Sequence, residues 1–226
     1  MRYGNVCAGR FLERTNRFVA RVETAEGVQV CHVKNTGRCR ELLVPGARVY
    51  LEEAAAGGRK TRYDLIAVEK GELLINMDSQ APNRVFGEFA AEGRFLPGLT
   101  AIRGEYTWGD SRFDFLLEDE VGPIFVEIKG CTLEKEGEAR FPDAPTERGI
   151  KHLRGLQRAV EQGYRAAVVF VIQMKGVHSF HPNDATHAAF GDALRQAAAA
   201  GVRVLAYDCL VTEDTLEMDA PVPVVL

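Results

Sequence analysis

Only one of the 226 residues is tryptophan and five are cysteine, at positions 7, 31, 39, 131 and 209. The odd count, with no C-x-x-C pair and no Cys/His run at zinc-finger spacing, excludes a disulfide scaffold and favours a reducing compartment. No apolar stretch approaches the roughly 20 residues of a membrane helix. The longest, Ala166 to Ile172, has seven. The opening MRYGNVCAGRF has no apolar core of a secretory leader, so the chain is read as cytoplasmic, with no membrane partner. Internal repeats are absent, and 46% hydrophobic with 27% charged residues excludes a disordered tail. An excess of positive charge is lacking too. The 28 Lys and Arg face 32 Asp and Glu, for a net charge of −4, which taken whole argues against a nucleic-acid binder.

That balance is unevenly spread. Residues 1–84 hold 14 basic against 10 acidic side chains, and residues 85–226 hold 14 against 22, so two regions of opposite sign follow one another. From Arg17 to Met77, short β-like runs at 17–24, 28–33, 48–53, 62–69 and 72–77 are separated by turn residues such as Glu26-Gly27, Pro45-Gly46 and Lys70-Gly71. Five short strands predict a small barrel, of OB-like type. The polar stretch DSQAPNR (78–84) marks a boundary between a first domain, 1–83, and a second, 84–226. Beyond it the spacing predicts a helix capped by Asn83, strands at 101–108, 113–118 and 124–129, and a helix capped by Thr146. A buried strand at 166–172, a helix capped by Asp184 and a strand at 202–207 complete the chain. The order α-β-β-β-α-β-α-β describes a mixed sheet with helices on both faces, an α/β chain of the α+β kind.

The most informative stretch is SRFDFLLEDEVGPIFVEIKG, 111–130. With DEVG (119–122) as a hairpin turn, Glu118 faces Pro123, Leu116 faces Phe125, Asp114 faces Glu127 and Arg112 faces Lys129. Alternation then puts Arg112, Asp114, Glu127 and Lys129 on one face, and Phe113, Phe115, Val126 and Ile128 on the other. Two opposed carboxylates repel unless something positive sits between them. A divalent cation meets that need, because Mg²⁺ prefers hard oxygen ligands. Lys129 would lie beside it, placed to orient or deprotonate a water or to neutralise a phosphate oxygen. The plain alternative is a solvated strand face with a cross-strand ion pair.

Other residues point toward phosphate. In FPDAPTERGIKHL (141–153), a helix beginning at Thr146 carries Arg148, Lys151 and His152 in its first two turns. Exposed N–H groups there favour an anion, and Arg148 can add a bidentate contact. In the first domain Arg17, Phe18, His32, Asn35 and Arg38 offer a groove for stacked bases and a phosphate backbone. Phe18 itself begins an apolar alternation with Ala20 and Val22, which points it into the core and leaves the arginines as the stronger contacts. His178, His181 and His187 fit no helical zinc pair, and GGRKT (57–61) is not a P-loop.

An Asp followed by Glu-x-Lys on a hairpin, after a helix carrying an acid, resembles the PD-(D/E)xK nuclease core. In that superfamily the helix acid can complete the metal shell, and the matching residue is Glu88. More specifically, NRF (16–18), NTGR (35–38), SRFDFLL (111–117), VEIKGCTL (126–133), FPDAPTERGIKHL (141–153) and GVRVLAY (201–207) resemble, in order and across nearly the whole chain, the sugar fermentation stimulation protein A family. The resemblance implies an OB-like nucleic-acid-binding domain and a restriction-endonuclease-like αβββαβ domain. It also implies a protein that binds DNA, single- or double-stranded, and hydrolyses phosphodiesters with Mg²⁺ or Mn²⁺ on Asp114, Glu127 and Glu88. It keeps Glu105 as a secondary candidate. A homodimer is compatible with it, as is a non-catalytic DNA-binding regulator of sugar-metabolism genes on a nuclease-like scaffold. Gly130 departs from the family's usual Asn or Ser and would loosen the backbone beside Lys129.

Overall fold

The computed structural model describes residues 1–35, 37–54 and 61–226. Residues 57–60 of GGRKT and Thr36 of NTGR lie outside the described residues. The first part consists of β1 (Val6–Asn16), β2 (Val19–Thr24), β3 (Gly27–Val33), β4 (Arg48–Glu53), β5 (Tyr63–Lys70) and β6 (Leu73–Asn76). They run in the order β3-β2-β1-β4-β5-β6, and parallel pairing of β3 with β5, from Cys31↔Tyr63 to Val33↔Leu65, closes the first five into a barrel. The five barrel strands are not the five that the turn spacing predicts: β1 is additional, and the run at 72–77 is β6, an extension from the barrel. β1 is hard to read because Phe11 is its one fully buried residue, and register shifts after Phe11 and Arg14 spoil the alternation.

β2 alternates as expected, with Ala20 and Val22 buried, but Phe18 lies outside the strand and is 49% exposed. Its amide N–H donates to Asn16 Oδ1 at 2.9 Å in the β1–β2 turn, which takes the residue out of the strand's phase. The expectation of a core Phe18 is thereby overturned.

The second part contains α1 (Ala81–Ala91), β7 (Ala101–Trp108), β8 (Ser111–Asp119), β9 (Gly122–Cys131), β10 (Leu133–Lys135), β11 (Glu138–Phe141), α2 (Glu147–Glu161), β12 (Arg165–Ile172), β13 (Ser179–Pro182), α3 (Asp184–Ala199), β14 (Arg203–Val211) and β15 (Leu216–Pro221). The main sheet has the order β15-β14-β12-β9-β8-β7. Its centre is parallel, β9 with β12 and β12 with β14, and its flanks are antiparallel. Helix α1 covers one face, with Phe86 against Phe115 at 5.1 Å between centroids. Leu153 and Leu156 of α2 share the core of the other face with Phe113 and Phe125. β12 is buried along both faces, as its uninterrupted apolar run predicts. The α-β-β-β-α-β order is the expected one. A small sheet, β10-β11-β13, and the edge strand β15 were not read from the sequence.

The helix caps sort unevenly. Thr146 Oγ1 accepts from the Gly149 N–H at 3.0 Å, as expected. Asn83 does not cap α1, which begins two residues earlier after Gln80 with Pro82 in its first turn. Asp184 does not cap α3 either; it is paired with Arg195. Among the described residues no helix is long and apolar enough to cross a membrane.

The two parts share one apolar interior. Phe11, Val22, Leu65 and Met77 of the barrel belong to the same cluster as Cys131, Phe170 and Met174 of the second part. At the seam, buried Gln173 donates through Nε2 to Asn76 Oδ1 at 2.9 Å and to the Asp78 carbonyl at 3.0 Å. Satisfied buried amides of this kind fix relative orientation, since any slip leaves a polar group unpaired.

Candidate active site

β8 and β9 pair in the predicted register, with Leu116 opposite Phe125 and Glu118 opposite Pro123, but their ladder stops at Phe115↔Val126. Past that point β9 continues along β12, with Glu127↔Val168 and Lys129↔Phe170, while β8 stays with β7. The strands fork, and the two carboxylates stand at the fork. In place of a main-chain rung, the Ile128 N–H donates to Asp114 Oδ2 at 2.7 Å. The Asn83 amide on α1 donates to Asp114 Oδ1 at 2.9 Å.

Strict alternation fails here. Phe113 packs on Phe125 beneath α2, whereas Phe115 packs on Phe86 beneath α1, although both were expected on one face. On β7, Glu105 falls between the rungs Gly104↔Phe115 and Tyr106↔Phe113 and holds a left-handed φ of 54°. A non-glycine residue in that region breaks the pleat locally, and Asp114 is its counterpart on β8.

Glu127 is 2% exposed. Its Oε1 accepts from Lys129 Nζ and from His152 Nδ1. Arg148 Nε donates to His152 Nε2 at 3.3 Å. The ring is thereby held by both nitrogens, with Nδ1 turned to Glu127 and Nε2 to Arg148. Glu127 Oε2 is buried with no hydrogen-bond partner among the described residues. Burial works to raise the Glu127 carboxyl, but the donors His152 and Lys129 outweigh it and hold the group below its usual range. Asp114 goes the other way. Burial and then the charge of Glu127 push it up, against opposing bonds from Ile128 and Asn83.

An orphaned buried carboxylate oxygen, next to a second carboxylate that is raised by its charge, is the environment a hard cation relieves. Two carboxylates are enough for Mg²⁺, which keeps water or phosphate in its remaining positions. Among the described residues no group of three or more His, Cys, Asp or Glu is arranged to hold a metal ion, and His152, the third such side chain at the fork, is engaged with Glu127 Oε1.

Glu88, read as that third ligand, is instead tied to the Met1 ammonium at 2.6 Å and to Arg84 at 3.2 Å. Its place in α1 is five residues past Asn83, roughly 140° further round the helix, so Asn83 is the residue presented to the fork. Arg112 is exposed and paired with Glu105, away from Glu127 and Lys129. Arg148 and Lys151 are exposed on the first turns of α2. His178, His181 and His187 are apart from this site, engaged with Ser179, Glu138 and Glu147 respectively.

In the barrel, Arg17 and Arg38 are exposed. His32 Nδ1 lies 3.1 Å from Asp64 Oδ1. The Asn35 side chain is spent on main chain, accepting from Gly37 in its own loop at 2.7 Å and donating to the Met77 carbonyl beyond β6 at 3.0 Å. Arg14, which no motif singles out, donates through its guanidinium to the carbonyls of Arg17, Asn35, Gly37 and Arg38 and so moulds the loop. His152, expected beside Arg148 and Lys151 at a phosphate, instead reaches Glu127, and its spacing from Arg148 by one helical turn is the signal that puts both on one face.

Two family models match the chain: the SfsA N-terminal OB domain over residues 12–77, and the sugar fermentation stimulation protein RE domain over residues 80–215. The chain belongs to the sugar fermentation stimulation protein family. A homolog from Desulfitobacterium hafniense (strain Y51) is 60% identical over 217 residues, covering 96% of this chain and 95% of the relative. One from Clostridium beijerinckii is 50% identical over 226 residues and covers 100% of both. A solved structure of Pyrococcus furiosus SfsA in complex with Ca²⁺ is similar with a TM-score of 0.91 at 30% identity, covering 100% of this chain and 98% of that one.

Proposed function

We propose that this chain is a DNA-binding, divalent-cation-dependent phosphodiesterase with Asp114 and Glu127 as its metal ligands. The observation that carries the reading is the buried, unpartnered Oε2 of Glu127 beside Asp114 at the strand fork. The Ca²⁺ held by the Pyrococcus furiosus relative supports a hard cation, and the same oxygen chemistry serves Mg²⁺ or Mn²⁺. A bound cation of this kind supplies Lewis-acid stabilisation of phosphoryl charge and lowers the pKa of a coordinated water. The side chains divide the remaining work. Asn83 and the Ile128 N–H fix both oxygens of Asp114. Lys129 and His152 occupy Oε1 of Glu127, leaving Oε2 as the oxygen presented to the cation. The Lys129 ammonium neutralises a phosphate oxygen or passes a proton to the departing one. Arg148 and Lys151 hold flanking phosphates.

The test is incubation of purified protein with supercoiled and single-stranded DNA in Mg²⁺ or Mn²⁺. Cleavage that EDTA stops and that Asp114→Ala abolishes supports the reading. DNA binding without cleavage, indifferent to EDTA and to Asp114→Ala, would make the chain a binding protein on a nuclease-like scaffold.

A further inference from the structure

A cleft of about 450 Å³ opens where the barrel meets the start of α1, lined by Phe18, His32, Lys34, Asp64, Ser79 and Gln80. Its size falls within the roughly 300–1,000 Å³ of small-ligand pockets. The Phe18 ring stands half exposed at this cleft, with the Arg17 guanidinium 5.9 Å from its centroid. The one ammonium lining the cleft is already neutralised and does not suit phosphate. Lys34 Nζ is 2.9 Å from Asp78 Oδ2 and 3.8 Å from Glu52 Oε2, both behind the cleft wall, and 3.9 Å from Asp64 Oδ2, which lines it. His32 is committed to Asp64. Three carboxylates around one ammonium repel an anion. Asp64 and the exposed Gln80 amide do offer both donors and acceptors beside an aromatic face, which is the complement of an uncharged heteroaromatic ring.

The cleft is rigidly joined to the fork. Ser79 donates through both its N–H and its Oγ to the Lys34 carbonyl, at 2.9 and 2.6 Å, which pins the barrel to the entry of α1. Gln80, in the cleft, and Asn83, on Asp114, are three residues apart, about 4.5 Å of helix rise.

We infer that this cleft takes one unpaired nucleobase of the strand whose phosphate reaches Asp114 and Glu127, so that the substrate is a single strand or a duplex with an unstacked end. The inference rests on the nuclease reading above for the identity of the strand. A base inside a duplex has its faces covered by its neighbours and cannot lie on Phe18, whereas one in a single-stranded tail can. The exposed Arg17, beside the Phe18 ring, carries the adjoining backbone.

The test uses the full chain in EDTA, so that no strand is cut, with oligonucleotides carrying the fluorescent base 2-aminopurine. A single strand and a tailed duplex should bind at least tenfold more tightly than a blunt duplex, with a change in emission as the base stacks. Phe18→Ala should lose roughly 5- to 100-fold in affinity, the stacking contribution of one base, and Phe18→Trp should restore it. Equal affinity for blunt duplex, or binding indifferent to Phe18→Ala, overturns the inference while leaving Asp114-dependent cleavage to stand or fall separately. Equal affinity for a mononucleotide overturns strand recognition in favour of nucleotide binding. Stacking on Phe18 without cleavage in any metal leaves the cleft as a strand site and removes the nuclease reading alone. Absence of binding to every nucleic acid removes both.

Discussion

The side-chain amide of Asn83 donates to Oδ1 of Asp114 at 2.9 Å, so the first turn of α1 sets the orientation of a carboxylate on β8. Partners one step behind a metal ligand commonly contribute 10- to 100-fold to affinity. Asn83→Ala should therefore weaken Mn²⁺ binding by about tenfold in a calorimetric titration. The melting temperature of the metal-free protein should move little, because the residue is only partly buried.

Asp114→Asn should stabilise the metal-free protein. It removes one of two carboxylates that repel within a buried site, and Asn83 can turn its amide to present a carbonyl to the new NH₂ group. We expect thermal unfolding in EDTA at pH 7 to rise by roughly 2–4 °C, corresponding to about 1 kcal/mol in a chain of this size. The pH dependence fixes the sign. The Asp114 carboxyl is raised in the folded chain, so its protonation contributes stability fully below the unfolded value near 3.9, lost as pH climbs through the raised value. The advantage of Asp114→Asn should shrink as pH falls from 7 to 4. Added Mn²⁺ should raise the melting temperature of the native chain and leave that of the variant unchanged.

Glu88→Gln should leave the Mn²⁺-induced thermal shift intact, since the Glu88 carboxylate is bound to Met1 and Arg84. The Arg84 pair is exposed and contributes about 0–1 kcal/mol; the Met1 ammonium is nearly buried but keeps its bond to the Leu216 carbonyl and can donate to the glutamine carbonyl, so stability should fall by roughly 1 kcal/mol. A lost metal shift would restore Glu88 to the ligand set.

Gly130→Ala should be damaging. A Cβ there would stand 2.7 Å from Gln173 Oε1 and 2.7 Å from Pro82 Cγ. Far from loosening the chain, this glycine admits α1 and the seam amide at close range. We expect a destabilisation of roughly 1–3 kcal/mol in urea unfolding, with reduced Mn²⁺ affinity as Asn83 is displaced from Asp114.

What could be read in advance follows from which physical signals are local. The Glu118–Pro123 and Leu116–Phe125 pairing follows from one turn and a period of two, both visible in the sequence. Thr146 announces its helix because a hydroxyl at an N-cap acts within three residues. Glu88 is reached by residue type alone, while the start of α1, after Gln80 with Pro82 in its first turn, brings Asn83 to Asp114. The fork at Asp114 was invisible because it depends on β9 leaving β8 for β12, a choice made by residues about 40 positions away. His152 belongs to the same class, since its partner on β9 is 25 residues distant.

The shared interior of barrel and sheet has a mechanical consequence. With Phe11 and Phe170 in one apolar cluster and Gln173 bonded across the seam, the two halves do not swing on a hinge. If the cleft holds a base of the strand that is cut, that strand meets the carboxylates at a fixed number of nucleotides. The molecule would then work as a gauge, and a substrate whose terminal base alone is unpaired should give a narrow distribution of product lengths that is the same from one sequence to another.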